Sequence, residues 1–432
     1  MQHMKKQIHQ EWSFDGVIYE VNIRQYTSEG TFKAFLPHLD RLSEMGVDIL
    51  WLMPVFPIGS VHRKGLLGSY YSIKDFKGVN PEFGNEEDLR ALIEKAHRLG
   101  MKVLLDWVTN HAAWDNVWTV SHPEYFKKGE GGGFVSPNDW SDVIALDYGV
   151  ASMRKAMIDA MCYWVREFDI DGFRCDVAGL VPVDFWEEAR YHLELIKPLF
   201  MLAEDEENGA LMRYAFDMNY TWKVHHMMGK VAKGEESLGA FRAVFDQNNA
   251  LYPPSVYRMQ FITNHDENSW NGSEYERLGE FSEAFAALTF MLPGMPLIYS
   301  GQEAGYKERI AFFDKDRIEW GDVVLHGLYQ QLIAIKKSYT PLHNGNYGAP
   351  IRWIQSNCSD TLLGLARKDH MNTIIAFFHF GNEVLPQVNV DTEGYEGEYT
   401  DLLTGETVKV DSNWHPEIQP GGYQLLALHH QR

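Results

Sequence analysis

Short apolar segments alternate with amphipathic segments over most of the chain. The apolar segments are typical of buried parallel strands, because they are continuous hydrophobic runs bounded by Gly, Pro or polar residues. They lie at 16–21, 47–54, 101–108, 170–177, 198–204, 258–263 and 294–299, with a weaker run at 213–217. Between them, apolar residues at three- and four-residue spacing predict helices over 31–45, 85–99, 153–168, 184–196, 280–291 and 325–337.

This alternation predicts an α/β fold built on a parallel sheet. No dinucleotide-binding glycine pattern follows the first strand, so a (β/α)8 barrel is favoured over a doubly wound sheet. Residues 112–148 interrupt the rhythm with Trp, Gly and polar clusters, which indicates a small excursion after the third strand. From about residue 348 the pattern changes to short β runs separated by turn signals, which predicts an all-β C-terminal module.

Composition and charge exclude several classes of partner. The 432 residues include 39 Lys plus Arg against 60 Asp plus Glu, a formal charge of −21 that argues against nucleic acid and anionic membranes. The 3 cysteines are too few and too scattered for a disulfide framework or a zinc site. No apolar run approaches the length of a membrane span, and the N-terminus lacks a signal core. We therefore expect a cytoplasmic protein, or an exported one whose leader has been removed.

Carboxylates follow the ends of several predicted strands, and in a parallel barrel these ends meet at the face where active sites are assembled. Arg174 lies two residues before Asp176 and points to the same side of the strand, which favours an ionised Asp176. Glu204 is followed by further acids, which favour a raised pKa at that carboxyl. Because gathered like charges are costly, the cluster predicts a functional site. It consists of Asp106, Asp176, Glu204 and Asp266, with His111 and His265 beside them.

Two reaction classes and one non-catalytic role fit this cluster. Glycoside hydrolysis needs a nucleophilic carboxylate and a protonated acid partner, which Asp176 and Glu204 would supply. Metal-assisted hydrolysis would use the same acids and histidines as ligands, but the strand ends lack paired His ligands and Arg174 would oppose a cation. A barrel that binds sugars or partners without catalysis is the third alternative.

Several segments, in order along the chain, resemble the signatures of the α-amylase family of retaining glycoside hydrolases. DWVTNH at 106–111, GFRCD at 172–176 and FITNHD at 261–266 are similar to its first, second and fourth signatures, and Glu204 stands at the position of the third. WLMP at 51–54 and GQE at 301–303 resemble auxiliary motifs on the second and eighth strands. The match runs through almost the whole chain.

The resemblance implies a domain organisation and a reaction. The expected domains are a (β/α)8 barrel of residues 1–111 and 149–345, a short insert at 112–148 and a C-terminal β-sandwich at 346–432. The expected activity is hydrolysis of α-1,4 bonds in starch-like glucans or maltooligosaccharides through a covalent intermediate. Glucanotransferase action, α-1,6 linkages and cyclodextrin remain open alternatives, and a non-catalytic carbohydrate-binding homologue is a remote one. The sequence does not indicate an oligomeric state.

The family's functional residues transfer onto matching positions of this sequence. The resemblance implies Asp176 as nucleophile, Glu204 as general acid/base and Asp266 as the third acid, which grips sugar hydroxyls. Arg174 would position Asp176, and Asp106 would give structural support. The residues implied to contact the sugar in the −1 subsite are Tyr71, which would stack on the ring, and His111 and His265, which would donate hydrogen bonds.

Two departures from the family pattern affect recognition and metal binding. Many members carry a Lys-His pair after the second signature, where this chain has Gly179 and Leu180, so binding beyond the scissile bond is expected to differ. No cofactor is required, while a structural calcium ion is an option that the resemblance leaves open. Its candidate ligands are Asn110 and the insert acids Asp115, Asp139 and Asp142.

Overall fold

The structure, a computed structural model, describes residues 9–385 and 388–430. Eight parallel strands form a closed barrel in the order β1-β2-β3-β6-β7-β8-β9-β10, and β10 pairs with β1 to complete it. The remaining pair, β4 and β5, is an antiparallel ribbon in the excursion. These strands are β1 Ile18–Val21, β2 Ile49–Leu52, β3 Lys102–Val108, β4 His111–Ala113, β5 Val143–Ala145, β6 Gly172–Asp176, β7 Phe200–Ala203, β8 Met218–Asn219, β9 Tyr257–Gln260 and β10 Met295–Tyr299.

Helices follow most barrel strands and form the outer layer. Their apolar faces pack on the outward-facing residues of the strands, which gives one continuous core between the two layers. The α-helices are α1 Ile23–Tyr26, α2 Phe32–Phe35, α3 His38–Met45, α4 Glu86–Arg98, α5 Trp118–Ser121, α6 Ala151–Phe168, α7 Val183–Glu194, α8 Trp222–Ala232, α9 Leu238–Ala250, α10 Glu274–Leu278, α11 Ser282–Met291 and α12 His326–Ser338.

The barrel interior has an apolar lower part and a charged upper end. Inward-facing residues such as Trp51, Leu104 and Phe200 form a separate buried cluster inside the barrel. Side chains on a strand alternate between its two faces, so the next inward position after Leu104 is Asp106. Strand β6 contributes no apolar residue to this interior cluster, because its inward side chains include Arg174 and Asp176. Because side chains alternate along each strand, the charged residues at the ends of the strands point into the same end of the barrel.

Two predicted elements differ from the structure. The sixth strand was predicted over 213–217, but this interpretation is wrong: a 3-10 turn occupies Leu211–Arg213 and β8 comprises only the 2 residues Met218–Asn219. Asp217 directly precedes β8, and its carboxylate accepts hydrogen bonds from the Met201 N–H and the Arg190 guanidinium. The helix predicted over 31–45 is divided into α2 and α3 by Pro37, which cannot donate a backbone hydrogen bond.

The C-terminal region forms one antiparallel sheet of six strands in the order β11-β12-β13-β16-β14-β15. One face of this sheet packs on the barrel core, and the other has an apolar cluster of its own that includes Phe377, Tyr399 and Leu426. The predicted barrel with a C-terminal all-β domain is confirmed, whereas the division at residues 111, 148 and 345 stays a prediction. The strands are β11 Ile351–Ile354, β12 Leu362–Lys368, β13 Asn372–His379, β14 Gly397–Asp401, β15 Thr407–Val410 and β16 Tyr423–His429.

None of the helices in the described ranges is long and apolar enough to cross a bilayer. The longest, α6, carries charged residues on its outer side and lies against the barrel.

Arg367 connects the C-terminal sheet to the barrel. It is 1% exposed, and its guanidinium donates to the carbonyl oxygens of Ala349, Met291, Leu292 and His343. One side chain therefore satisfies several backbone carbonyls.

We expect Arg367→Ala to lower the free energy of unfolding by about 3 kcal/mol, since charge-assisted bonds are lost and buried carbonyls are left unpaired. Urea denaturation followed by tryptophan fluorescence measures this loss. Arg352→Ala, an exposed arginine on the neighbouring strand β11, is the matched control and should change stability little. Equal stabilities of the two variants would contradict the role given to Arg367.

Candidate active site

Arg174 is the central group at the C-terminal end of the barrel. Its side chain is fully buried, and Nη1 donates to Asp106 Oδ1 at 2.9 Å and to Asp176 Oδ1 at 3.1 Å. Nη2 lies 2.8 Å from Glu204 Oε2, and Nε donates to the Tyr220 hydroxyl at 3.2 Å. Burial alone would lower the pKa of Arg174, but the surrounding acids, Asp106 first, raise it well above its usual value. One guanidinium therefore joins three of the predicted acids.

Asp176 and Glu204 face each other across this guanidinium. Asp176 is buried, with a side chain 11% exposed, and burial followed by repulsion from Glu204 raises its pKa well above the usual range. Arg174 opposes this shift without cancelling it, so the ionised Asp176 expected from the sequence stays a prediction. Glu204 Oε2 also accepts a hydrogen bond from the Val177 N–H at 2.8 Å.

Val177 adopts a backbone conformation that is unusual for a β-branched residue. Its φ of 37° lies in the left-handed region, directly after Asp176. This conformation turns the Val177 N–H toward Glu204, as the 2.8 Å hydrogen bond shows. Strained backbone of this kind is concentrated at functional sites.

The acids that follow Glu204 in sequence do not crowd it. Asp205 accepts the Asn208 N–H, Glu206 binds the Lys223 N–H and the Asn248 amide, and Glu207 pairs with the Lys223 ammonium. The sequence argument for Glu204 therefore named the wrong neighbours. Its charged contacts are Arg174 and, through the shared guanidinium, Asp176.

His265 is the second buried cation of the site. Its Nδ1 lies 2.5 Å from Glu20 Oε1, and its Nε2 lies 2.8 Å from the Tyr71 hydroxyl and 3.3 Å from Asp266 Oδ2. Burial would lower the pKa of His265, but Asp266 and Glu20 raise it well above 6.5. In return, although burial would raise the pKa of Asp266, His265 holds it below the usual value. The ring is therefore an imidazolium that donates from both nitrogens.

Tyr71 and Asp106 complete this network. The Tyr71 hydroxyl donates to Asp106 Oδ2 at 2.9 Å, and its ring stacks on the His265 ring at 5.3 Å. Asp106 is fully buried and also accepts from Trp51 Nε1 at 3.0 Å. Arg174, Tyr71 and Trp51 thus all donate to Asp106, whose support role stays a prediction.

His111 lies on the other side of Asp176. Its Nε2 is 3.9 Å from Asp176 Oδ2, and the Asn110 amide lies 3.2 Å from its Nδ1. Burial lowers the pKa of His111 to about 4, so the ring is neutral at pH 7 and differs in charge from His265. A neutral imidazole that accepts from Asn110 presents its N–H on the side of Asp176.

These groups lie at the base of a cleft of about 570 Å³. The sequence predicted its acidic and histidine residues but missed most of its walls, which come from loops. Glu20 was also missed, although a single carboxylate inside the apolar strand β1 is a signal that could have identified it. A larger cavity of about 700 Å³, lined in part by His9 and Tyr252, contains none of the predicted residues. Asp142, predicted only as a calcium ligand, is also a wall residue, and the missed wall residues are Lys64, Ser69, Trp140, Val143, Val177, Trp270, Phe312 and Phe313.

Comparison with known proteins identifies the family. A sequence profile described as "Alpha amylase, catalytic domain" matches residues 15–143 and 138–337. The chain belongs to the α-amylase family. The solved alpha-amylase from Lactobacillus plantarum is 32% identical, with a TM-score of 0.86 over 97% of this chain and 100% of that one. The noncanonic maltogenic alpha-amylase AmyB from Thermotoga neapolitana is 29% identical, with a TM-score of 0.83 over 96% of each chain.

Curated relatives in the α-amylase family are longer than this chain. Alpha-amylase MalA of Haloarcula japonica is 28% identical over 428 residues, which cover 93% of this chain and 61% of the relative. A cyclomaltodextrinase of Geobacillus thermopakistaniensis is 25% identical over 92% of this chain and 70% of the relative. The chain thus spans about three fifths of the first of these relatives, 61% of its length.

The residues that the family resemblance offered for calcium do not fit a single ion. The Asn110 amide is directed at His111, Asp115 accepts from the Ser60 N–H and hydroxyl, and Asp142 pairs with Lys64 at 3.0 Å. Among the described residues, Asp115, Asp139 and Asp142 do not form a group that could surround one metal ion. Calcium prefers several oxygen ligands around one point, and here protein donors already occupy the carboxylates of Asp115 and Asp142.

Incubation with EDTA should leave the thermal unfolding midpoint unchanged, because ion pairs and hydrogen bonds hold the insert acids in place of an ion. Differential scanning calorimetry with and without added calcium measures this. A fall in Tm that calcium restores would contradict the expectation.

A different group in the described residues has the geometry for a metal ion: His225, His226 and Glu267. Arg277 Nη1 lies 3.3 Å from His225 Nε2, and Asn271 donates to Glu267 Oε1, so protein donors already engage this group. The predicted acids form no such group, since Arg174 and His265 pair with them. The residues predicted as ligands for metal-assisted hydrolysis therefore do not form a metal-binding group.

Glu20→Gln should lower the pKa of His265 and destabilise the protein by about 3 kcal/mol, as expected when a buried ion pair loses one partner. Since His265 has a raised pKa, its stabilisation is fully present below about pH 6.5 and disappears as pH rises through the raised value. NMR titration of the His265 ring and urea denaturation at several pH values test this. Glu398→Gln, at an exposed position on β14, is the control. An unshifted His265 titration would contradict the pairing.

Proposed function

We propose that the protein is a retaining α-glycoside hydrolase that cleaves α-1,4 bonds of starch-like glucans or maltooligosaccharides. The observation that carries the proposal is the position of Asp176 and Glu204 on one buried guanidinium at the base of an aromatic-lined cleft. Two carboxyl groups that share a site and differ in protonation are the machinery of glycoside hydrolysis. Membership of the α-amylase family supports the same reaction.

In the first step, Asp176 Oδ attacks the anomeric carbon while the bond from that carbon to the glycosidic oxygen breaks. Glu204 transfers its proton to that oxygen, so the leaving sugar departs as a neutral alcohol. An ester between Asp176 and the sugar remains, with Glu204 ionised beside Arg174. In the second step Glu204 takes a proton from water, the hydroxide oxygen bonds to the anomeric carbon, and Asp176 is released as a carboxylate.

The cycle needs one proton on the Asp176–Glu204 pair at its start, held by Glu204. With both groups ionised, the repulsion that raises the pKa of Asp176 would act in full. When Glu204 holds the proton, Asp176 keeps its negative charge next to Arg174 Nη1 at 3.1 Å. The first step uses both the proton and the charge: Asp176 becomes a neutral ester, and the negative charge passes to Glu204, whose carboxylate lies 2.8 Å from Arg174 Nη2.

The remaining groups are assigned to sugar binding. Asp266, with a side chain 38% exposed, is the most accessible of the predicted acids and accepts hydrogen bonds from sugar hydroxyls. The His265 imidazolium beside Asp266 and the neutral His111 beside Asp176 donate to hydroxyls. Tyr71 supplies a ring for stacking, while Trp140 and Trp270 add aromatic surface along the cleft.

Transfer to a second sugar is the alternative outcome of the same intermediate, because a sugar hydroxyl can replace water in the second step. Cyclodextrin is the alternative substrate, which the cyclomaltodextrinase relatives favour by name. The intracellular location predicted from the sequence stays a prediction, and one relative is named an intracellular maltogenic amylase.

Asp176→Asn should reduce turnover of maltoheptaose by roughly 10⁴-fold or more, the scale expected when a covalent nucleophile is removed. Proton NMR of the digestion shows fresh α-anomeric ends for the native protein and none for the variant. Azide added to Asp176→Gly should form the β-glycosyl azide, since azide attacks from the side that Asp176 leaves open.

Asp169→Asn, at an exposed position just before β6, is the control and should keep its activity. Activity of Asp176→Asn at the native level would remove the nucleophile assignment. Products longer than maltoheptaose would favour transfer over hydrolysis.

A further inference from the structure

The loop 58–69 forms one wall of the cleft and is bonded to the excursion on one side. Asp115 accepts hydrogen bonds from the Ser60 N–H at 3.0 Å and from its hydroxyl at 2.8 Å. Lys64 Nζ pairs with Asp142 Oδ1 at 3.0 Å, and both side chains line the cleft. The loop is thereby joined to a segment inserted after β3.

The other side of the loop is bonded to the segment that follows β10. The Leu66 N–H donates to Asp314 Oδ1 at 2.7 Å, and the Leu67 N–H donates to the Phe313 carbonyl at 3.0 Å. Gly65, with a φ of +64°, approaches so closely that a Cβ there would lie 2.5 Å from Phe313 Cβ. The loop is thus held at both flanks and forms a fixed wall of the cleft.

The position of Arg174 shows which end of the substrate meets this wall. The wall leads directly into Tyr71, whose hydroxyl and Arg174 Nη1 bind the same carboxylate, Asp106. Glu204 lies at the opposite nitrogen, Nη2. A general acid must lie within hydrogen-bond reach of the leaving oxygen, so the leaving part of the chain departs on the Glu204 side. The wall therefore faces the sugar that stays bound, toward its non-reducing end.

We infer that the Lys64–Asp142 ion pair closes the cleft beyond the non-reducing end, so that the enzyme removes mono- or disaccharides from chain ends. This inference rests on the proposed function, because it assigns the substrate end that the same site accepts. The pair is partly exposed, with 38% of the Lys64 side chain and 8% of the Asp142 side chain accessible. Such a pair contributes little to stability, so its role is to occupy space and to present charge to sugar hydroxyls.

Two forms of maltoheptaose with a reducing-end label test the inference: one unmodified, the other blocked by an acetal on the terminal 4- and 6-hydroxyls. The native enzyme should cleave the blocked form slower by about tenfold or more, as a site that excludes an added group does. The first labelled product from the free form should be shorter than maltoheptaose by one or two glucose units, because about that many units fit between the wall and the cleaved bond. Chromatography of early time points measures both.

Lys64→Ala should open the end wall, bring the rates on the two substrates together and yield internal cleavage products. Lys64→Arg should keep the native pattern because it retains length and charge. Lys74→Ala is the matched control, since Lys74 pairs with Asp115 of the same excursion at 3.4 Å but does not line the cleft. Thermal unfolding of each variant confirms that it is folded.

Equal rates of the native enzyme on free and blocked substrate would overturn the inference and leave the proposed hydrolysis intact. A folded Lys64→Ala that retains the native discrimination would overturn the assignment of Lys64 as the barrier. Absence of turnover on both substrates would overturn the proposed function, and the inference with it.

Discussion

One fully buried guanidinium, that of Arg174, is the constraint on which the catalytic end of the barrel depends. Asp106, Asp176 and Glu204 all lie within 3.1 Å of its nitrogens, and three carboxylates could not remain together in a dry interior without it. Its own ionisation is secured in return, because Asp106 and Glu204 raise its pKa against the effect of burial. The guanidinium also has a fixed planar shape, so it determines where each acid lies as well as which charge it bears.

The second cation, His265, works differently. It donates toward Glu20 on one side and toward Tyr71 and Asp266 on the other, so it connects strand β1 with the loop after β9. The two cations do not neutralise all of the surrounding carboxyl groups. The excess of negative charge acts on Asp176, where burial and repulsion from Glu204 raise the pKa of the carboxyl group. The imbalance of charge in the barrel thus falls on the carboxyl group to which the proposal assigns the nucleophile's role.

The sequence predicted the parts of this arrangement that follow from strand period and strand ends. Asp106, Arg174 and Asp176 lie on one face of their strands because side chains alternate, and the pattern contains that information. The pattern does not indicate where a strand of only 2 residues lies, so β8 was predicted a few residues too early. Nor does it show which loops meet: Leu67 and Phe313 are far apart in sequence and become neighbours through a backbone hydrogen bond of the folded chain. The charged neighbours of Glu204 were misjudged for the same reason, since adjacent acids turn away while Asp176 approaches from another strand.

The reaction and the range of substrates that the cleft admits therefore depend on separate interactions. The acids are fixed by buried cations and by the strands that carry them, where burial makes each contact strong and each loss costly. The loop 58–69 is held by partly exposed ion pairs and by hydrogen bonds to two other loops, which are weaker and are replaceable one at a time. A change in the loop can alter which end of a chain is admitted without disturbing Arg174, whereas a change at Arg174 alters every acid at once. Substrate range is consequently the more adjustable property of this barrel, and the reaction the more constrained one.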